Sequence, residues 1–188
     1  MGDTMKNLKI LISIVLSFSF LFASSVSDKR KEVLQDSKDS LSMLYKLYPS
    51  SKKFVSSSYG YATFSNIGVN LVLFSAELGR GVAHNNKTGK NTYMKMVSGG
   101  VGFGLGVKDF RAIFVFETKE AFDFFVEHGW EANAQADAVA KSDNKGGSLE
   151  GAITVHPGIK LYKLTKNGLA LQATIQGTKY WRDDELNY

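Results

Sequence analysis

The stretch from Ser98 to Glu117, SGGVGFGLGVKDFRAIFVFE, constrains the fold more than any other part of the chain. A strand sends alternate residues to opposite faces, so Gly100, Gly102, Gly104 and Gly106 line one side while Val101, Phe103, Leu105 and Val107 line the other. A glycine face packs nothing itself; it marks a close approach of another backbone, a bend or a ligand. Lys108-Asp109 reads as a tight turn, after which Phe110, Ala112, Phe114 and Phe116 alternate with Arg111, Ile113 and Val115. Both faces of that second run are largely apolar, which predicts a central strand covered on both sides. The stretch is read as a hairpin at the core of an antiparallel sheet. Its glycines fit neither G-x-G-x-x-G nor a Walker loop, and a strand follows them rather than a phosphate-binding helix N-terminus, so they are assigned to sheet packing or curvature.

The 188 residues suffice for one domain with a real core, and 44% apolar and 22% charged residues are ordinary globular values. Cysteine is absent, which excludes disulfides, thiolate metal sites, a catalytic thiol and a lipidated N-terminal cysteine. At the start, Lys6 and Lys9 form a basic region and Ile10 to Ala23 an apolar run broken by serines, with Ala23-Ser24-Ser25 offering small residues for cleavage. This predicts a secretory signal over 1–25, with Met5 as its natural start, and an exported, periplasmic or secreted chain peripherally attached to a membrane. An uncleaved anchor is the alternative, although the run falls short of the roughly 20 residues of a membrane span. The formal net charge of +5 is modest and scattered.

Along the rest of the chain, Val33, Leu34, Leu41, Leu44, Tyr45 and Tyr48 recur near the helical period, predicting an amphipathic helix from Ser27 that ends at Pro49. The region 26–53 is read as this helix and a linker, 54–182 as a β-rich core and 183–188 as an acidic, frayed tail. Short β-like runs are expected at Phe54-Val55, Tyr59 to Phe64 and Val69 to Leu78, then a polar turn from His84 to Asn91 and a strand over Thr92 to Val97. Thr118 and Gly129 bracket a second helix, Lys119 to His128, with Ala121, Phe122, Phe125 and Val126 facing inward. Alanine at every even position from Ala132 to Ala140 suggests a strand over Trp130 to Ala140, and Ser142 to Ser148 a polar loop. His156-Pro157-Gly158 should turn between strands at Leu149 to Val155 and Ile159 to Thr165, and Asn167-Gly168 joins the latter to a strand over Leu169 to Trp181. The fold class is α+β: a mostly antiparallel sheet, sandwich- or barrel-like, with an N-terminal amphipathic helix and one short internal helix.

Catalytic signals are missing from this sequence. His84, His128 and His156 fall in a turn, a helix end and a turn, with no metal-ligand spacing, and there is no G-x-S-x-G elbow. Glu117 and Glu120 read as charge at a helix start. No catalytic residue, metal or cofactor is assigned, and nucleic acid is not expected as a partner.

From about Val33 onward the chain resembles a SYLF domain, a lipid-binding module also found in fungal and animal actin-associated proteins and in bacterial envelope proteins. Four blocks carry the resemblance: Gly68 to Gly81 with Val82-Ala83-His84, the glycine run leading into Val107-Lys108-Asp109-Phe110-Arg111, Gly129-Trp130-Glu131-Ala132, and Gly168-Leu169 with Gly177. The resemblance implies a mostly β, non-catalytic domain that binds anionic phospholipid through its N-terminal amphipathic segment. That segment maps here onto Asp28 to Lys53, so the expected lipid contacts are Lys29, Arg30, Lys31, Leu34, Leu41, Leu44, Tyr45, Lys52 and Lys53, with Gly100, Gly102, Gly104, Gly106, Gly168 and Gly177 as structural glycines. The chain departs from the family in lacking a cysteine to lipidate and in carrying Gln172 where many members have glycine. Actin is not expected as a partner in a bacterial envelope. The alternative reading is an envelope structural protein whose helix is docked on the sheet and whose partner is another protein.

Overall fold

The computed structural model describes residues 25–65, 72–73, 76–99, 111–132, 150–165, 168–169 and 177–188. The expected signal segment, the glycine run with Gly100, Gly102, Gly104 and Gly106, most of the expected alanine strand and the loop at Ser142 to Ser148 lie outside these residues. Three helices and ten strands are described: α1 (Val26–Leu47), α2 (Pro49–Ser57), β1 (Gly60–Ser65), β2 (Val72–Leu73), β3 (Ala76–Asn85), β4 (Asn91–Gly99), β5 (Arg111–Phe116), α3 (Lys119–His128), β6 (Trp130–Glu131), β7 (Ile153–His156), β8 (Ile159–Thr165), β9 (Gly168–Leu169) and β10 (Thr178–Arg182). The strands form one antiparallel sheet in the order β6-β10-β4-β3-β1-β5-β8-β7, curled into a half-barrel, with β2 on β3 and β9 on β8. The fold is therefore α+β and mostly antiparallel β.

β5 is the strand on which both faces of the sheet are built. Ala112, Ile113, Phe114, Val115 and Phe116 are all fully buried, as their two-sided apolar pattern predicts. On one face Ala112, Phe114 and Phe116 join Phe64, Met94, Met96 and Tyr180 beneath Phe122 and Phe125 of α3. The rings of Phe64 and Phe114 meet those of Tyr180 edge-on, with centroids 4.6 and 5.0 Å away. On the opposite face Ile113 and Val115 join Tyr162 and Leu164 beneath Leu44 of α1 and Val55 of α2. One short strand thus holds a helix layer on each side.

α3 follows its end signals. The Thr118 hydroxyl accepts from the Ala121 N–H at 3.2 Å, and Gly129 closes the helix at φ 74, with its N–H donating to the Phe125 carbonyl at 3.0 Å. A Cβ on Gly129 would collide with the Tyr180 carbonyl oxygen, so this residue also sets how closely the helix end approaches β10. Phe122 and Phe125 are buried, while Phe124 is 57% exposed and stacks on His128. The turns expected at His84 to Asn91 and at His156-Pro157-Gly158 join β3 to β4 and β7 to β8.

Several elements differ from the sequence reading: β7 starts only at Ile153, after a turn at Glu150-Gly151, and the strand expected over Leu169 to Trp181 is interrupted at Gly177, a turn with φ 80 before β10. Pro49 does end α1, but it also starts α2, so Phe54 and Val55 are helical rather than β-like. Proline suits the first helical position, where its preset φ fits and its missing N–H would have no intrahelical partner. The segment 183–188 is docked, not frayed: Asp183 and Leu186 are 0% and 1% exposed. Its acids face cations on β4 and α1, which are remote in sequence.

Candidate lipid-contact segment

α1 begins at Ser25, whose hydroxyl accepts from the Asp28 N–H at 3.1 Å, and Asp28 adds negative charge to the first turn. Val33, Ser37, Ser40 and Leu44 then fall on one seam and are buried. Leu44 is fully buried against the β5 and β8 residues Ile113, Val115, Tyr162 and Leu164, with Leu41 and Tyr45 half-buried beside it. Leu34 packs with Val33, Val82, Leu186 and Tyr93. The apolar residues expected to meet lipid are thus turned to the sheet. Two of the four seam positions are serine, and the Ser40 hydroxyl donates to the Asp36 carbonyl at 2.7 Å, so the docked seam is thin in apolar area.

The basic residues divide. Lys29 forms an ion pair with Glu185, and Arg30 donates to the carbonyls of Leu186, at 2.9 Å, and Tyr188 while its guanidinium lies 5.7 Å from the Tyr93 ring centre. Lys31 is exposed and lies 3.5 Å from Asp28. Lys52 and Lys53 are exposed on α2.

Beneath α1 the register places Arg111, Ser65, Arg80 and Lys95 side by side across four strands. Opposed like charges repel, so acids are needed nearby. Lys95 pairs with buried Asp183 at 3.0 Å. Glu185 is held below the usual carboxylate range, chiefly by the Lys29 hydrogen bond and charge, with Lys95 and Arg80 adding to the effect. Asp36 is pushed up by burial and by Glu32, against the pull of Arg111. Arg111 Nη1 reaches the Ser40 hydroxyl at 3.5 Å, and its Nε is buried with no hydrogen-bond partner.

A tyrosine cluster completes the interface. Burial, followed by Tyr61, pushes the Tyr45 hydroxyl up to about 12; burial, followed by Tyr48, does the same for Tyr162. The Tyr162 hydroxyl is buried with no hydrogen-bond partner. The remaining expected glycines sit at strand starts: Gly168 pairs with Thr165, and Gly177 takes φ 80 before β10. Among the described residues no group of three His, Asp or Glu is placed to hold a metal, and no helix is long and apolar enough to cross a membrane.

An exposed basic end was missed by period-based reading. Asn86 Nδ2 donates to the carbonyls of Val55, at 2.8 Å, and Ser58, at 3.2 Å, which ties the β3–β4 turn to α2. Exposed Lys87 and Lys90 on that turn therefore lie at the same end of the molecule as the exposed Lys52 and Lys53 helix. Leu47, at the end of α1 beside exposed Lys46, is 41% exposed. The available signal was charge segregation: the sequence has no acidic residue from Ser40 to Ala76, nor from Leu78 to Lys108.

No protein-family model matches the chain. Over 143 residues the chain is 40% identical to a protein named beta cell expansion factor A from Aeromonas veronii, a similarity covering 76% of this chain and 53% of that protein. The chain thus spans about half the length of the curated relative it matches and is its homologue over the shared region.

Proposed function

We propose that this chain is a SYLF-type, non-catalytic module of the bacterial envelope, exported to the periplasm or beyond, that binds anionic phospholipid. The observation that carries this reading is the basic end formed by Lys52, Lys53, Lys87 and Lys90, next to a stretch of chain without acids and with Leu47 exposed. Each lysine close to an anionic leaflet contributes about 1 kcal/mol, so four of them acting together suffice for reversible attachment at low salt. In this reading first contact is made by Lys52 and Lys53 of α2 and by the β3–β4 turn, since the α1 stripe is covered. A second reading, a protein-binding envelope component, is favoured by that covered stripe.

Cosedimentation separates the two. The full chain and a Lys52→Gln/Lys53→Gln/Lys87→Gln/Lys90→Gln variant are mixed with vesicles of phosphatidylcholine alone or with added phosphatidylglycerol. Pelleting with phosphatidylglycerol only, lost in the variant and at about 1 M salt, where screening acts within about 3 Å, supports lipid binding. Absence of pelleting by the unaltered chain at low salt overturns it in favour of a protein partner.

A further inference from the structure

The first turns of α1, at one end of the covered stripe, are held by a short segment that supplies far more specific contacts than its length suggests. Asp183–Tyr188 grips both the first turns of α1 and strand β4. Toward α1, Glu185 pairs with Lys29, the Leu186 and Tyr188 carbonyls accept from Arg30, and the Leu186 side chain packs on Val33. Toward β4, Asp183 pairs with Lys95, and Asn187 bonds to both the N–H and the carbonyl of Tyr93. Between Val33 and Leu44 the α1 seam is thin, with Ser37 and Ser40 where larger apolar residues would add to the anchoring.

We propose that Asp183–Tyr188 is a latch, whose release lets α1 leave the sheet and present its Val33, Leu41 and Leu44 stripe to an anionic bilayer. This rests on the membrane reading above and adds a second stage to it. The basic end attaches first, and α1 inserts only after the latch opens. The uncovered sheet then offers Arg80, Lys95 and Arg111, aligned in one row, to the same lipid phosphates.

The test uses the full chain and two readouts, hydrogen exchange of α1 amides without lipid and binding to phosphatidylglycerol-containing vesicles. Leu186→Ala, which leaves charge unchanged, and Glu185→Gln weaken the latch. Exchange in α1 should rise about tenfold while that of β5 holds, and vesicle binding should tighten. Because the chain has no cysteine, a Val33→Cys/Leu186→Cys pair can lock the latch by oxidation. The oxidised form should retain only salt-sensitive attachment, and reductant should restore insertion, read as protection of α1 from protease by vesicles. Unchanged α1 exchange in both weakened variants overturns the latch itself. Faster α1 exchange with no vesicle binding by any form overturns instead the membrane reading, and with it the lipid half of the proposal.

Discussion

Asn187 stands in for a strand beside Tyr93. The Tyr93 N–H donates to Asn187 Oδ1 at 2.9 Å, and Asn187 Nδ2 returns a bond to the Tyr93 carbonyl at 2.7 Å. The β4–β10 register ends at the Met94–Arg182 pair, and the Asp183 N–H still donates to the Tyr93 carbonyl at 2.9 Å, so the Asn187 amide supplies the partner of the Tyr93 N–H and a second donor to its carbonyl. Asn187→Ala is expected to cost about 1–2 kcal/mol in urea unfolding. A cost near zero would mean that water replaces the amide.

The aromatic residues should separate by face. Phe114, fully buried between rings on three elements, should cost about 3–5 kcal/mol on change to alanine. Phe124, mostly exposed on α3, should change stability by about 0.5 kcal/mol at most on the same substitution. Denaturation midpoints of the two variants test this ordering.

Gly129→Ala should cost more than about 1 kcal/mol, because φ 74 disfavours a side chain and the new Cβ meets the Tyr180 carbonyl. Gly89→Ala serves as the comparison. It has the same backbone sign at φ 72 but open space around it, so it should be the milder change. Equal losses would show that backbone conformation alone governs both sites.

Tyr45 and Tyr162 give the fold an alkaline weakness. Both hydroxyls titrate near 10 when unfolded and about 12 when folded, because burial disfavours the phenolate. Their contribution is fully present below pH 10 and is lost as pH rises through 12. Tyr162→Phe should soften that loss. At neutral pH it should be neutral or stabilising by up to about 1 kcal/mol, since it removes a buried hydroxyl without a partner. Urea midpoints measured across pH 9 to 12 test both statements, and an unchanged alkaline slope would remove Tyr162 as a cause.

Local chemistry was legible in the sequence. Thr118 and Gly129 announced α3, and the unbroken apolar run of β5 announced a central strand, because capping and two-sided burial are set by neighbours in sequence. α2 was not legible: PSSKKFVSS is too short to show a period, and Pro49 serves equally as a stop and a start. The stripe of α1 was visible, and docking on the sheet was one of its two readings; the residues that cover it were not. The docking of 183–188 was hidden for the same reason, since acidic residues look solvated until Lys29, Arg30 and Lys95 are brought beside them by the fold.

Lys29 and Glu185 are 156 residues apart in the chain, and this separation orders events during synthesis. A polypeptide growing from its amino end holds α1 long before β4, β10 and the closing contacts exist. The helix therefore exists before β5 and β8 can cover its stripe and before 183–188 can grip its first turns, so the sheltered form comes later than the helix itself. Whatever meets that helix early, a chaperone or a bilayer, competes with ribosome speed instead of with the finished latch.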